Sequence, residues 1–153
     1  MSSKPRILIV DDELGPRESL RMILSDQYEL ATAACGKEAI DFLDHNEYDL
    51  AILDIRMPDI NGTELLKIIK EKAMATEVIM ITAYASVDTA TAALRSGAID
   101  YLIKPFEIDV VRETVKKGIK RRDQARSINM MIDDLKTINK NLENEIESTY
   151  NSI

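Results

Sequence analysis

The sequence predicts an α/β protein: a parallel sheet of five strands with helices on both faces, followed by one long C-terminal helix. Three observations predict it. Short apolar runs recur between Ile7 and Ile103, and segments of helical period separate them. Strand–helix alternation of this kind is the pattern of a parallel sheet joined by right-handed crossovers. Beyond about residue 107 the alternation stops, with no proline and only one glycine, Gly118.

The first run, Ile7-Leu8-Ile9-Val10, ends at Asp11 and Asp12. Gly15-Pro16 opens a helix with Leu20, Ile23 and Leu24 on one face. Proline is tolerated in the first turn because its missing N–H would have had no partner there. A short strand spans Glu29 to Ala33, and Cys35-Gly36 turns the chain into a helix with Ala39, Ile40 and Leu43 inward. The next run, Leu50-Ala51-Ile52-Leu53, is apolar up to Asp54, as a strand covered on both faces requires. Met57 to Gly62 form a loop with two turn signals. A helix carrying Leu65, Leu66, Ile68 and Ile69 leads to Val78-Ile79-Met80-Ile81, which ends at Thr82. Ala90, Ala93 and Leu94 mark an Ala-rich helix stopped by Ser96-Gly97. The fifth strand, Tyr101-Leu102-Ile103, ends at Lys104-Pro105, where a cis bond would aim the lysine inward. The last helix starts near Glu107 and offers Ile108, Val111, Val115 and Ile119 to the sheet.

Further along that helix, Ile128, Met131, Leu135, Ile138 and Leu142 alternate three and four apart, the heptad seam of a coiled coil. Asp133, Asp134, Lys136, Asn139, Lys140 and Glu143 among the flanking positions are polar, and the heptad slips where Glu145 falls on the seam and Ile146 one later. One helix is expected from about Glu107 to about Ser148. The predicted organisation is a sheet domain over 1–122 and a helical coiled-coil linker over 123–153, truncated before an output domain. The seam predicts a homodimer through this helix.

Composition narrows the function. The 153 residues fit one domain with an extension, and 45% hydrophobic content supports a core without staples. A net charge of −7 disfavours nucleic acid as a partner of this segment. The basic stretch Lys116, Lys117, Lys120, Arg121, Arg122 and Arg126 reads as a solvated helix face. No run reaches the roughly 20 apolar residues that cross a bilayer, and the N-terminus lacks a signal-peptide core. The single cysteine, Cys35, excludes an internal disulfide and suits a reducing cytoplasm. His45 lies in a polar loop and is expected to be exposed.

The chemistry sits at the strand ends, where parallel sheets place their binding crevice. Asp11, Asp12 and Asp54 supply hard oxygen ligands suited to Mg²⁺, which is held by one or two carboxylates plus waters and phosphate oxygens. Taken alone, Asp11 and Asp12 could be helix caps; a third carboxylate at another strand end favours the metal. Asp54 ends the most apolar strand and is the candidate nucleophile, since carboxylates form acyl phosphates by attack on phosphorus. Thr82 and Lys104 would stabilise the charge on the equatorial oxygens of a transferring phosphoryl group.

Ile7 to Glu13, Leu53-Asp54-Ile55-Arg56-Met57-Pro58, Asn61-Gly62, Thr82-Ala83 and Tyr101 to Phe106, in this order and spacing, resemble the receiver domain of two-component response regulators over about residues 5 to 121. The resemblance implies a flavodoxin-like doubly wound sheet of strand order 2-1-3-4-5. It implies that Asp54 accepts a phosphoryl group from a sensor histidine kinase or phosphotransfer protein. It implies that Asp12, Asp54 and the Arg56 backbone carbonyl bind Mg²⁺, with Asp11 acting mainly through metal-bound water. Thr82 and Lys104 would contact the transferred group. Tyr101 would be the aromatic switch that remodels the face of the fourth helix, fifth strand and fifth helix. Arg56 and Tyr84, at the variable positions that influence phosphate lifetime, are large and predict slow autodephosphorylation without turnover of any external substrate. The competing reading is an aspartyl-nucleophile phosphatase or phosphotransferase. Such enzymes resemble Asp-x-Asp hydrolases, and here Arg56 stands where their second acid would be. The output stays open between a cyclic-dinucleotide enzyme, a kinase and a transcription-activating ATPase.

Overall fold

The computed structural model describes residues 3–83 and 87–151, the side chains of Val87 and Thr89 excepted. Tyr84 lies outside the described residues. Strands and helices alternate: β1 (Arg6–Val10), α1 (Leu14–Leu24), β2 (Glu29–Ala33), α2 (Gly36–His45), β3 (Leu50–Asp54), α3 (Gly62–Lys72), β4 (Glu77–Thr82), α4 (Val87–Arg95), β5 (Asp100–Ile103) and α5 (Ile108–Asn151). The strands pair in parallel in the order β2-β1-β3-β4-β5.

β1 and β3 are buried almost throughout because both faces of the sheet are covered. On one face Ile7, Ile9, Leu50, Ile52, Ile79 and Ile81 pack with Leu20 and Leu24 of α1 and Val111, Val115 and Ile119 of α5. On the other, Leu8, Val10, Ala51, Leu53, Val78 and Met80 pack with Ala39, Leu65, Leu66, Ile69 and Ala93 from α2, α3 and α4. Successive strand residues alternate faces, so an unbroken apolar run fills both layers. Each fully buried aliphatic side chain contributes about 1.5–3 kcal/mol relative to exposure, which makes the strand ends a rigid platform.

Several sequence expectations are corrected in detail. Leu94 is 45% exposed: α4 meets the sheet through the small Ala93, and the next residue turns outward. Ile108 is 53% exposed. It is the first residue of α5, and helical side chains lean toward the N-terminus, so it points past the start of the helix rather than onto the sheet. Pro16 is the third residue of α1 rather than its opener; the N–H there has no intrahelical partner either. The last helix runs on to Asn151.

Contacts divide the chain into Met1–Arg122 and Asp123–Ile153. Within the second unit Ile128, Met131, Leu135, Ile138 and Leu142 are all at least half exposed. No described helix is long and apolar enough to cross a membrane.

Candidate functional site

The chain leaves β1 toward β2 on one side and returns to β3 on the other, so a crevice opens between the C-terminal ends of β1 and β3. Register fills it. Val10 lies beside Leu53, and Asp54 beside Ile81, so Asp11 and Asp54 emerge together, with Thr82 one strand further. Asp11 is fully buried and Asp54 nearly so, while Asp12 is exposed. Lys104 follows β5, and its backbone N–H donates to the Thr82 carbonyl at 2.9 Å. The Lys104–Pro105 peptide bond is cis.

The Lys104 ammonium reaches across two strands into the crevice. Its Nζ lies 2.9 Å from Asp11 Oδ2, 3.0 Å from Asp54 Oδ2 and 3.6 Å from Glu13 Oε1. The other carboxylate oxygens are held by the backbone. Asp11 Oδ1 accepts the Glu13 N–H at 2.9 Å, and Asp54 Oδ1 accepts the Arg56 N–H at 3.1 Å. Four of the five residues singled out at the strand ends are therefore in one place. Asp11, Asp54 and Lys104 touch, and Asp12 joins the acids with one carboxylate oxygen from each of Asp11, Asp12, Glu13 and Asp54 within 4.8 Å of the others. Thr82 borders this group through its backbone bond to Lys104. Tyr101 sits on β5 beside Met80, half-buried against the α2–α3–α4 layer.

Electrostatics define what the crevice favours. Burial raises the Asp11 pKa above the ordinary 3.8, and the Asp54 charge adds to this, against the opposing pull of the Glu13 N–H and Lys104. Burial works against the Lys104 ammonium too, but hydrogen bonds and charge from Asp11 and Asp54 outweigh it and its pKa is raised. The crevice holds more negative charge than one lysine neutralises. The donors are all oxygen, as Mg²⁺ prefers, and the buried Asp11 Oδ2 has only the Lys104 ammonium, 2.9 Å away, to offset its charge. The residues present therefore fit a hard divalent cation.

A stability consequence follows for the metal-free protein. Because Asp11 holds its proton more tightly folded than unfolded, wild type loses stability as pH rises from about 3.8 through the raised value. Asp11→Asn lacks this loss. The variant is expected to match wild type in acid and to exceed it at neutral pH. Urea unfolding in EDTA at both ends of that range checks it; a variant less stable than wild type at pH 7 contradicts the sign.

Glu13 is the site residue that sequence reasoning passed over. Its signal was present, a third consecutive acid after an apolar run, but only the fold shows that it turns back toward Lys104. Asp59 was read only as part of a turn, yet it binds the start of α2.

A buried carboxylate at the switch point of a flavodoxin-like sheet, faced by a lysine from the strand-5 end, defines an α/β module built around an acidic, cation-ready crevice. Residues 7–116 match the family model of the response regulator receiver domain, and the chain belongs to that family. It is 37% identical over 138 residues to the regulatory protein AtoC of Escherichia coli K12, covering 90% of this chain and 30% of that protein. It is 39% identical over 122 residues to the response regulator protein PilR of Pseudomonas aeruginosa, covering 79% and 27%. The chain thus spans less than a third of the length of these relatives. Among solved structures, a CheY-like receiver domain protein from Methanospirillum hungatei superposes with a TM-score of 0.75 at 33% identity, covering 80% of this chain and 99% of that one. NtrX from Brucella abortus in complex with ADP gives 0.79 at 30% identity, covering 83% and 30%.

Proposed function

We propose that Asp54 of this two-component receiver accepts the phosphoryl group of a phosphohistidine on a sensor kinase or phosphotransfer protein. The observation that carries this is the Lys104 ammonium held 3.0 Å from Asp54 Oδ2 and 2.9 Å from Asp11 Oδ2 at the strand ends. An Asp54 oxygen attacks phosphorus in line as the phosphorus–nitrogen bond breaks, and its electron pair leaves with the imidazole, which takes a proton from water. Lys104 then pairs with a phosphoryl oxygen instead of Asp11, and the Thr82 hydroxyl contacts another. Asp12, Asp54 and the Arg56 carbonyl would hold Mg²⁺, with Asp11 beside them. The ion, when bound, neutralises the charge that carboxylates and phosphoryl group bring together.

The chain acts on itself alone, by phosphorylation and slow autodephosphorylation, with Arg56 and Tyr84 limiting water access. Movement of Thr82 and Tyr101 remodels the α4–β5–α5 face. The exposed seam from Ile128 to Leu142 pairs with a second copy and carries the change to the output of a longer regulator. Two named relatives, AtoC and PilR, are regulatory proteins more than three times as long as the matched segment, which supports this reading. The protein works in the cytoplasm, and this segment contacts neither membrane nor nucleic acid.

Incubation with acetyl phosphate and Mg²⁺, read by intact mass, is expected to add one phosphoryl group that lasts through the measurement. Catalytic consumption of acetyl phosphate without a retained phosphate would favour the aspartyl-phosphatase reading instead. Sedimentation of the same sample with and without beryllofluoride is expected to show a dimer in at least one state; a monomer in both removes the coiled-coil proposal.

A further inference from the structure

The loop after Asp54 is fastened at two points, and one of them is on a different element, the start of α2. At its base the Gly62 N–H donates to the Ile55 carbonyl at 2.8 Å. At its tip Asp59 reaches to the N-terminus of α2. Asp59 Oδ1 accepts the Gly36 N–H at 3.0 Å, and Oδ2 accepts the Lys37 N–H at 2.9 Å. Helix α2 has no cap of its own, since Cys35 at the capping position makes no side-chain cap bond. A helix N-terminus carries unpaired N–H groups and partial positive charge, and an Asp normally satisfies them from the adjoining residue. Here the Asp comes from more than twenty residues away. Those bonds hold its carboxyl below the usual range, with the Gly36 N–H the largest cause. Packing reinforces the junction: a Cβ on Gly36 would run into Ile60 Cγ2, so the next loop residue fits only because position 36 is glycine.

Between the two fastenings lies Arg56, whose N–H fixes Asp54 Oδ1 at 3.1 Å. We propose that Asp59 is a positioning residue for the phosphorylation site. By capping α2 across the fold, it fixes the tip of the loop whose backbone presents Arg56 to Asp54 and to a divalent cation. The effect rests on the site reading given under Proposed function, and it acts on cation binding before any phosphate is present.

Two measurements on the full chain test it. In EDTA, hydrogen exchange at the Gly36 and Lys37 amides is expected to be slow in wild type, faster in Asp59→Ala, and intermediate in Asp59→Asn, which keeps one acceptor oxygen. Mg²⁺ alone is then titrated by the amide shift of Arg56. Asp59→Ala is expected to raise the half-saturating concentration by about three- to tenfold, at or below the ~10–100-fold seen for direct supporting partners of a metal ligand. Asp59→Asn should recover part of that loss. Gly36→Ala should weaken Mg²⁺ as well, and Gly36→Ala/Ile60→Ala should restore it by removing the clash. Unchanged amide protection in Asp59→Ala overturns the proposal, as does equal Mg²⁺ half-saturation in all variants. Phosphate uptake by wild type is scored separately: if it fails while the Mg²⁺ series behaves as expected, the phosphoacceptor reading falls and the positioning role stands.

Discussion

Asp54→Ala is expected to stop phosphorylation by acetyl phosphate altogether, a rate loss on the order of a thousandfold or more, as removal of a nucleophile produces elsewhere. The expectation is sharp because the crevice offers substitutes. Asp11, Asp12 and Glu13 place carboxylate oxygens within 4.8 Å of Asp54, so proximity alone would let another acid take over. Geometry argues otherwise. Asp11 is fully buried, and Asp12 and Glu13 lie exposed at the rim. The Asp54 oxygens alone sit at the centre of the strand ends, between the lysine and the Arg56 N–H. The fold should survive, because removing Asp54 also removes a buried like charge from Asp11; a change within about 1 kcal/mol is expected. A retained phosphoryl group in a folded Asp54→Ala protein, seen by intact mass, would falsify the assignment of the acceptor.

Gly62→Ala is expected to cost about 3 kcal/mol of stability, the upper range for overpacking a tight junction. A Cβ at position 62 would collide with the Asp54 carbonyl oxygen and lie 2.8 Å from Ile55 Cα and 2.9 Å from the Asp54 carbonyl carbon. All three atoms are backbone, so no rotamer change relieves the contact. Either α3 withdraws from the end of β3, exposing Leu65 and Leu66, or the backbone of Asp54 moves. Both routes disturb the site, so the phosphorylation rate should fall together with the urea midpoint. A midpoint shift equivalent to less than about 0.5 kcal/mol would show that the junction yields more easily than its geometry implies.

Much of this was legible in the residues. The strands were, because a run such as Leu50 to Leu53 has no polar face and must be covered on both sides. The strand-end set was too, because parallel strands in register bring their C-terminal ends into line; Asp11, Asp54 and Lys104 needed only that one assumption to converge. Other features depend on neighbours distant in sequence. Leu94 and Ile108 have helical spacing suited to burial, yet the closeness of α4 through Ala93 and the starting point of α5 leave both in solvent. The Asp59–Gly36 junction had no local signal, because a capping residue is normally sought one position before the helix it caps.

By itself, then, the chain determined its strand–helix alternation, the acids and lysine at the strand ends, and a heptad seam. Those are properties of pattern, and hydrophobic periodicity writes them locally. Tertiary structure decided that Lys104 bridges Asp11 and Asp54, that Glu13 turns back to join them, and that the loop after Asp54 is held by a helix more than twenty residues upstream. Such contacts depend on where crossovers set each helix against the sheet, and no spacing along the chain encodes that distance.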